Sequence, residues 1–410
     1  MQDDFEGTEN LMLYDQFAFG SIIVSGQSTV AADAPADALT LVAGTNITLT
    51  TDASTDTITI AASGSGLSGT GSTDNAVLRA DGTGGATLQN SAIVIDDLYT
   101  SSPNATVNVV CIKPTGGTTN VGVAIVPKGT GSFSLAVPDG TSTGGNARGA
   151  NAVDLQTTRS AASQVASGAG AIVLAGQNCT ASGTQSVASG VGSTASARCC
   201  IAMGYEATAS GSDGVSIGMR NTAGIEGVAM GRNCTASTSG DVAIGYYNSS
   251  TAGYGLSTGW NALSNRHGMR SHSAGLFASQ GDNQLVEFNL RNKTTNTTAT
   301  TLFLDGASTR LTIPSGKLLT AIVLVQGVKS DGSAVAIYRR MITIKNVGGT
   351  TTLVDSQTLG TDYEDNASTD IAISADNTND ALQINVTGIT GETWRWHAIV
   401  TVASELAYGT

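Results

Sequence analysis

A four-residue pattern ending in glycine returns along the middle of the chain at nearly constant spacing. The copies are VLAG (Val173–Gly176), VASG (Val187–Gly190), IAMG (Ile201–Gly204), VSIG (Val215–Gly218), VAMG (Val228–Gly231), VAIG (Val242–Gly245) and LSTG (Leu256–Gly259). Successive starts lie 14, 14, 14, 13, 14 and 14 residues apart. Five residues beyond each glycine stands another small residue: Ala181, Ala195, Ala209, Ala223, Ala236, Ser250 and Ser264. A period this short cannot hold a helix pair or a propeller blade, but it suits one solenoid coil of two short strands and two tight turns.

Alternation along a strand predicts that Val173, Val187, Ile201 and Val215 stack as one buried column. The repeated glycines Gly176, Gly190, Gly204, Gly218, Gly231, Gly245 and Gly259 either take positive φ or let neighbouring backbones approach closely. With coils stacking at about 4.8 Å, the repeats make a rod section of roughly 30 Å. A coil this thin buries little against the roughly 1–2 kcal/mol lost for each ordered residue. The expected remedy is burial against other copies, with a homotrimer as the natural closure.

The composition agrees. Of 410 residues 51 are glycine, 12% are charged and 40% are apolar. The apolar share argues against disorder, and the excess of Thr, Ser, Val and Gly argues against a helical protein. A net charge of −13 disfavours nucleic acid as a partner, and the densest basic spot, Tyr338–Arg339–Arg340, falls in a predicted strand. The longest mostly apolar stretch, Leu318–Val328, is too short to span a membrane, so no membrane insertion is expected. The first residues, MQDDFEGTEN, lack the basic start of a secretion signal. Cys111, Cys179, Cys199, Cys200 and Cys234 form no CxxC pair and read as small buried hydrophobes.

The repeats IAMGYEATASGSDG and VAMGRNCTASTSGD resemble the head domain of trimeric autotransporter adhesins, with its xAxGxxxxAxGxxS coils. The resemblance implies a trimeric left-handed β-roll. The chain is expected to carry this module without the secretion signal, coiled-coil stalk and membrane anchor of those adhesins. Upstream, Leu39–Ser63, Gly69–Asp97 and Val121–Gln156 resemble the short-strand modules of bacteriophage tail fibres. Read from the residues alone, these segments are hairpins with Asp-Gly and Gly-Gly turns, the first turning at Asp52–Asp56.

The whole reads as an all-β, elongated homotrimeric fibre in five segments. Residues 1–34 form a virion-attachment arm, 35–160 a β-hairpin shaft, 161–265 the β-roll, 266–283 a cap or neck, and 284–410 a C-terminal β-sandwich or jelly-roll tip. In the arm, Leu11, Leu13, Tyr14, Phe17 and Phe19 are the docking candidates, facing a baseplate, tail or other virion protein. Trp260, Leu263 and Phe277 are expected to cap the solenoid. Strand candidates in the tip are Leu285–Leu290, Thr300–Leu304, Leu318–Gly327, Ala334–Lys345, Thr351–Asp355, Ile371–Ser374, Ala381–Thr387 and Thr393–Ser404. This part resembles phage-fibre tip domains with an LTIPSGK-type segment, here Leu311–Lys317.

No catalytic constellation is expected. GSGLSG (Gly64–Gly69) and GVSIG (Gly214–Gly218) match nucleotide-loop and nucleophile-elbow patterns, but neither opens a helix. Metal binding at His267 and His272 is disfavoured, and no cofactor is expected. Asp362, Glu364, Asp365, Asp376 and Asp380 read as turn carboxylates rather than a paired catalytic set. Tyr363, Asp365, Asn377 and Asn379 are the receptor-binding candidates. Trp394 and Trp396 suit either sugar stacking or the tip core. The expected function is host adhesion by a phage tail fibre whose tip binds a surface glycan or other envelope receptor by trimeric avidity, through hydrogen bonds and stacking rather than charge attraction. The alternatives are a capsid-attached head fibre or decoration protein, or a fibre-borne glycan depolymerase.

Overall fold

The structure, a computed structural model, describes residues 19–34, 36–62, 76–81, 87–99, 109–114, 120 and 122–408. Leu11, Leu13, Tyr14, Phe17 and the Gly64–Gly69 motif lie outside the described residues, while Phe19 is half-buried. Among the described residues every regular element is a strand. Among the described residues there is no helix, hence none long and apolar enough to cross a membrane.

The chain forms two compact units, Met1–Ile125 and Val126–Thr410. In the first, Ser21–Ile22 pairs with Val30–Ala31 and Ile47–Asp52 with Thr57–Ala62, both antiparallel. The second hairpin turns through 53–56, where Asp56 supplies the positive φ. All of Thr57–Ala62 is exposed on both faces, its isoleucines included. Ala76–Asp81, Thr87–Tyr99 and Val109–Pro114 make a separate three-stranded antiparallel sheet.

The second unit carries the coils. Their first strands run from Ile172–Gln177 to Arg270–Ala274 in one parallel sheet, and their second strands run from Thr180–Ala181 to Leu263–Ser264 in another. The seven tetrads fall on seven successive first strands with their closing glycines aligned. The ladder extends further than the tetrads do. Phe133–Ser134 and Val153–Asp154 join it upstream, which places residues read as shaft in the same unit as the coils. Arg270–Ala274 joins it downstream, inside the expected neck. Both extensions lack the closing glycine and so escape a search for the pattern.

The predicted buried column is corrected by one position. Ala188, Ala202, Ser216, Ala229, Ala243 and Ser257 point inward and are fully buried, whereas Val187, Ile201 and Val215 point outward and are half-buried. The gap between the two sheets admits only Ala- or Ser-sized groups, because the facing column is Ala181, Ala195, Ala209, Ala223, Ala236, Ser250 and Ser264, also fully buried. Val173 is the exception. The first coil carries a bulge between Val173 and Gly176, so Ile172 aligns with Val187 and Val173 with Ala188. Counting back from the glycine cannot see an inserted residue. Cys179, Cys200 and Cys234 fill the ends of the coils as free, buried thiols.

The glycine column meets both expected demands. Gly204 has φ +132°, and a Cβ there would lie 1.9 Å from the carbonyl oxygen of Gly218 in the next coil. Gly190, Gly218 and Gly231 repeat the arrangement.

The tip is built on five long strands: β1 (Asn283–Thr294), β2 (Lys317–Lys329), β3 (Val335–Val347), β4 (Thr350–Thr358) and β5 (Trp394–Ala407). They form an antiparallel sheet in the order β4-β3-β2-β5-β1. Four shorter strands, Thr300–Thr301, Leu311–Thr312, Asp370–Asp376 and Ala381–Thr387, form a second sheet. Phe288, Leu290, Val323, Val325, Ile342 and Ile344 from the first sheet share one hydrophobic core with Leu311, Leu382, Ile384 and Val386. Trp394 and Trp396 stack in that core with ring centroids 5.6 Å apart, which removes them as sugar platforms. Trp396 Nε1 donates to Thr294 Oγ1 at 2.9 Å.

The expected apolar cap is also corrected. Phe277 is 73% exposed and Trp260 48% exposed. Instead, β1 pairs antiparallel with Arg270–Ala274, so the first coil sheet and the long tip sheet are one continuous ladder with no open edge at the junction. Met269, fully buried, joins the tip core from the last coil.

Candidate functional site

Two surfaces of the second unit carry exposed chemistry. The first is the coil. Outward from the first strands point Val187, Ile201, Val215, Val228, Val242 and Leu256, and beside them Met203, Ile217, Met230 and Ile244. This makes an apolar stripe the length of the solenoid. Outward from the second strands point Thr180, Thr194, Thr208, Thr222, Thr235 and Ser249, a polar ladder. At the turn stand Tyr205, Tyr246 and Trp260, with Arg220 over Tyr205 and Arg232 over Tyr246 at 5.6 and 5.4 Å. Charges on this surface pair between neighbouring coils, Arg220 with Glu206 at 2.7 Å and Arg198 with Asp213 at 2.9 Å. Ser216 of the GxSxG decoy is fully buried and donates to the carbonyl of Asn221, so no nucleophile is presented.

The second surface is the tip. The four predicted receptor residues fall into two groups. Tyr363 and Asp365 lie beside the start of β3, because Tyr363 pairs with Ile337. Tyr363 Oη donates to Asp365 Oδ1 at 2.8 Å, and the other carboxylate oxygen accepts from Val335 N at 2.8 Å. These bonds hold the Asp365 carboxyl below its ordinary range, the Val335 N–H first, and raise the Tyr363 phenol. Asn377 and Asn379 lie in the turn after Asp370–Asp376. There Asn377 accepts from Thr351 N at 2.7 Å and Asn379 donates to Asp376 at 2.8 Å. Thr351 pairs with Asn346, far along β3 from Ile337. At about 3.3 Å per residue, the two groups stand roughly 30 Å apart along that strand. They are two places, and the asparagine side chains are spent on holding structure, Asn377 on β4 and Asn379 on its own turn.

The structure assembles a different cluster on the outer face of the long sheet. Register sets Tyr363, Ile337, Gln326, His397 and Arg291 in one row across five strands. The next row is Val335, Val328, Arg395 and Lys293. Two cavities meet at Arg395, Trp396 and His397. One, of about 340 Å³, is bounded by Val328, Val335 and Ile337; the other, of about 480 Å³, by Arg291, Lys293 and Asp305. His397 is held between Asn289 Oδ1 at 3.2 Å and Gln326 Nε2 at 3.5 Å. Arg291 is fixed by the carbonyls of Leu304 and Asp305 at 3.2 and 2.8 Å. The cationic residues come from strands about a hundred positions apart, so no linear motif announces them. Alternation along each strand was the only signal available.

Tip carboxylates are engaged elsewhere. Arg340 grips Asp362 with two bonds of 2.7 Å, which holds that carboxyl low. Arg310 pairs with Asp376 at 3.1 Å, and Thr351 donates to Asp380 at 2.8 Å. Among the described residues no group of His, Cys, Asp and Glu is arranged to hold a metal ion.

Comparison with known proteins agrees with the coil geometry. The YadA head domain repeat family matches residues 176–198, 201–221 and 223–248, within the solenoid. The coils are a β-solenoid, and their central stretch is similar to this repeat. A comparison with curated proteins gives no match. Among solved structures, the tailspike protein of Acinetobacter phage vB_ApiP_P1 is similar at 11% identity with a TM-score of 0.20, over 58% of this chain and 51% of that one. Tailspike protein gp49 of Acinetobacter baumannii bacteriophage Fri1, described as a capsular polysaccharide depolymerase, is similar at 8% identity and TM-score 0.18, over 58% and 48%. The chain spans about half the length of each.

Proposed function

We propose that this chain is a fibre-type adhesion protein: a rod that assembles as a homotrimer and carries a glycan-binding tip. The observation that carries this is the contrast between the coil's two outer faces, apolar on the first sheet and Thr/Ser on the second. A stripe of Val, Ile and Met along a whole rod is a surface that demands cover, and identical coils in register offer a matching one. The exposed isoleucines of the Thr57–Ala62 hairpin add a second demand, since an isolated two-stranded hairpin is marginal in water. The YadA-head repeat supports an adhesive role. Placement on a virion, with the N-terminal arm seated on a baseplate, tail or other virion protein, rests on the resemblance of Leu39–Ser63 and Gly69–Asp97 to phage-fibre segments. In this role the tip binds without cleaving, consistent with tip carboxylates already engaged by Arg340, Tyr363, Arg310 and Thr351.

Light scattering on the intact chain tests assembly. A trimer is expected, and Met230→Glu with Ile244→Glu should split it; a folded monomer at micromolar concentration would overturn the assembly. Labelled intact chain is expected to coat bacterial cells, with loss of coating when the trimer is split. Failure to attach to any strain of a broad panel, or release of reducing sugar from those cells, counts against non-cleaving adhesion.

A further inference from the structure

We propose that the tip face where Lys293, Arg395, Arg291 and His397 meet binds the anionic group, carboxylate or phosphate, of an acidic glycan. This rests on the adhesive role above and names its ligand class.

The first reason is a charge arrangement that the fold alone does not explain. Lys293 and Arg395 sit directly opposite each other on β1 and β5, and Arg291 sits opposite His397 in the adjoining row. Like charges facing across an antiparallel pair destabilise it, with Cβ atoms only about 5 Å apart. The chain nevertheless stacks these rows together while carrying 32 acidic residues against 19 Lys and Arg. Among the described residues neither Lys293 nor Arg395 has a carboxylate partner. The nearby acids are committed. Asp305 accepts from the N–H groups of Ala307, Ser308 and Thr309, each at 2.9 Å. Glu392 pairs with Lys329 at 3.1 Å and accepts from Trp394 Nε1 at 2.9 Å.

The second reason is shape. The cationic cavity opens beside an apolar one lined by Val328, Val335 and Ile337, with exposed Tyr363 next in the row. An acidic sugar presents the same pair of features, a charged group and an apolar C–H ring face. Arg395 supplies a planar fork suited to carboxylate or phosphate, and Lys293 a mobile point charge. Arg291 and His397, both already fixed, shape the floor. The place is also free of the rod. The last coil pairs only with residues 285–287 of β1, so Arg291 and Lys293 lie on the part of that strand that overhangs it.

The test uses the intact chain on three immobilised polymers: polygalacturonate for carboxylate, poly(ribitol phosphate) for phosphate and dextran as the neutral control. Binding to at least one charged polymer is expected, absent on dextran and weakening as salt rises. Lys293→Gln with Arg395→Gln should weaken it about tenfold or more, while Lys293→Arg preserves it. Which charged polymer loses binding identifies the group. Both side chains are exposed, and unchanged mass by light scattering checks the assembly of the double variant. Equal binding to dextran, binding to neither charged polymer, or full binding by the double variant each overturns the site. Cell coating by the double variant equal to that of the wild type removes the site while leaving adhesion intact; a wild type that coats no cells strikes adhesion itself.

Discussion

Arg266, in the last coil, and Glu405, on β5, form a buried ion pair that ties the rod to its tip. The Glu405 carboxylate also faces Lys317 Nζ at 3.5 Å and Gln284 Nε2 at 3.4 Å, and Arg266 reaches the Thr312 carbonyl at 3.2 Å. Gln284 in turn hydrogen-bonds both the N–H and the carbonyl of Leu263. Removing one partner strands the other charge away from water. Glu405→Ala is therefore expected to cost about 3–5 kcal/mol. Arg266→Met with Glu405→Leu should cost less than the sum of Arg266→Met and Glu405→Leu taken singly, because neither Arg266 nor Glu405 is then left without the other; only Lys317, partly exposed, loses its carboxylate. Denaturant unfolding of the four proteins measures this; additive costs would show that the two residues act separately.

Gly204 and Gly332 separate two reasons for glycine. Both have positive φ, +132° and +74°, but a Cβ at Gly204 would strike the Gly218 carbonyl while one at Gly332 meets nothing within 4 Å. Gly332→Ala should cost only the backbone term, about 1 kcal/mol. Gly204→Ala must also push two coils apart, and a loss of at least about 3 kcal/mol is expected. Thermal unfolding ranks the two; equal losses would mean that coil spacing yields freely.

The coil was legible in the sequence because its glycines recur for a geometric reason, coil upon coil. The inward column was misassigned because the larger residue of the pair, Val187 over Ala188, looks like core. Only the narrow gap between two facing Ala columns shows otherwise. The eight tip strands were legible from alternation, and each has a counterpart in the structure; most run on at one or both ends, Ala381–Thr387 keeps its bounds, and the one expected over Thr300–Leu304 is cut to Thr300–Thr301. The cluster at Lys293 and Arg395 was not legible, since β1 and β5 meet only through register. Tyr363 was singled out as an aromatic in an acidic turn, and register places it at the edge of that cluster; Asn377 and Asn379 shared its composition but not its location.

Asn248 is a fully buried amide that joins its own coil to the next. Its Oδ1 accepts from Ala262 N at 2.8 Å, and its Nδ2 donates to the carbonyls of Ile244 and Gly259 at 2.6 and 2.7 Å. Asn221 repeats the same pattern two coils earlier, bonding Cys234 N and the carbonyls of Ile217 and Gly231. Asn248→Ala leaves a buried donor and two acceptors without partners. A loss of about 1–3 kcal/mol is expected, against a much smaller loss for the exposed Asn265→Ala. Comparing the two denaturation midpoints checks it; equal midpoints would show that water replaces the amide.

Acid should loosen the tip before neutral pH does anything to it. Asp305 is held well below the ordinary carboxylate range, first by the Thr309 hydroxyl and then by the N–H groups of Ala307 and Thr309. At Asp282 burial pushes the carboxyl up, but the N–H groups of Ser279, Ala278 and Phe277 outweigh it and the net shift is downward. A group depressed in the folded state contributes stability that is complete above its unfolded value, 3.8 here, and fades as pH falls toward its folded value. The melting temperature is therefore expected to be level with respect to these two groups from neutral pH down to about 5 and to drop below about 4. Asp305→Asn removes one titrating group, so it should lower the neutral-pH melting temperature and flatten the acid slope. A variant whose acid slope matches the wild type would show that Asp305 carries none of it.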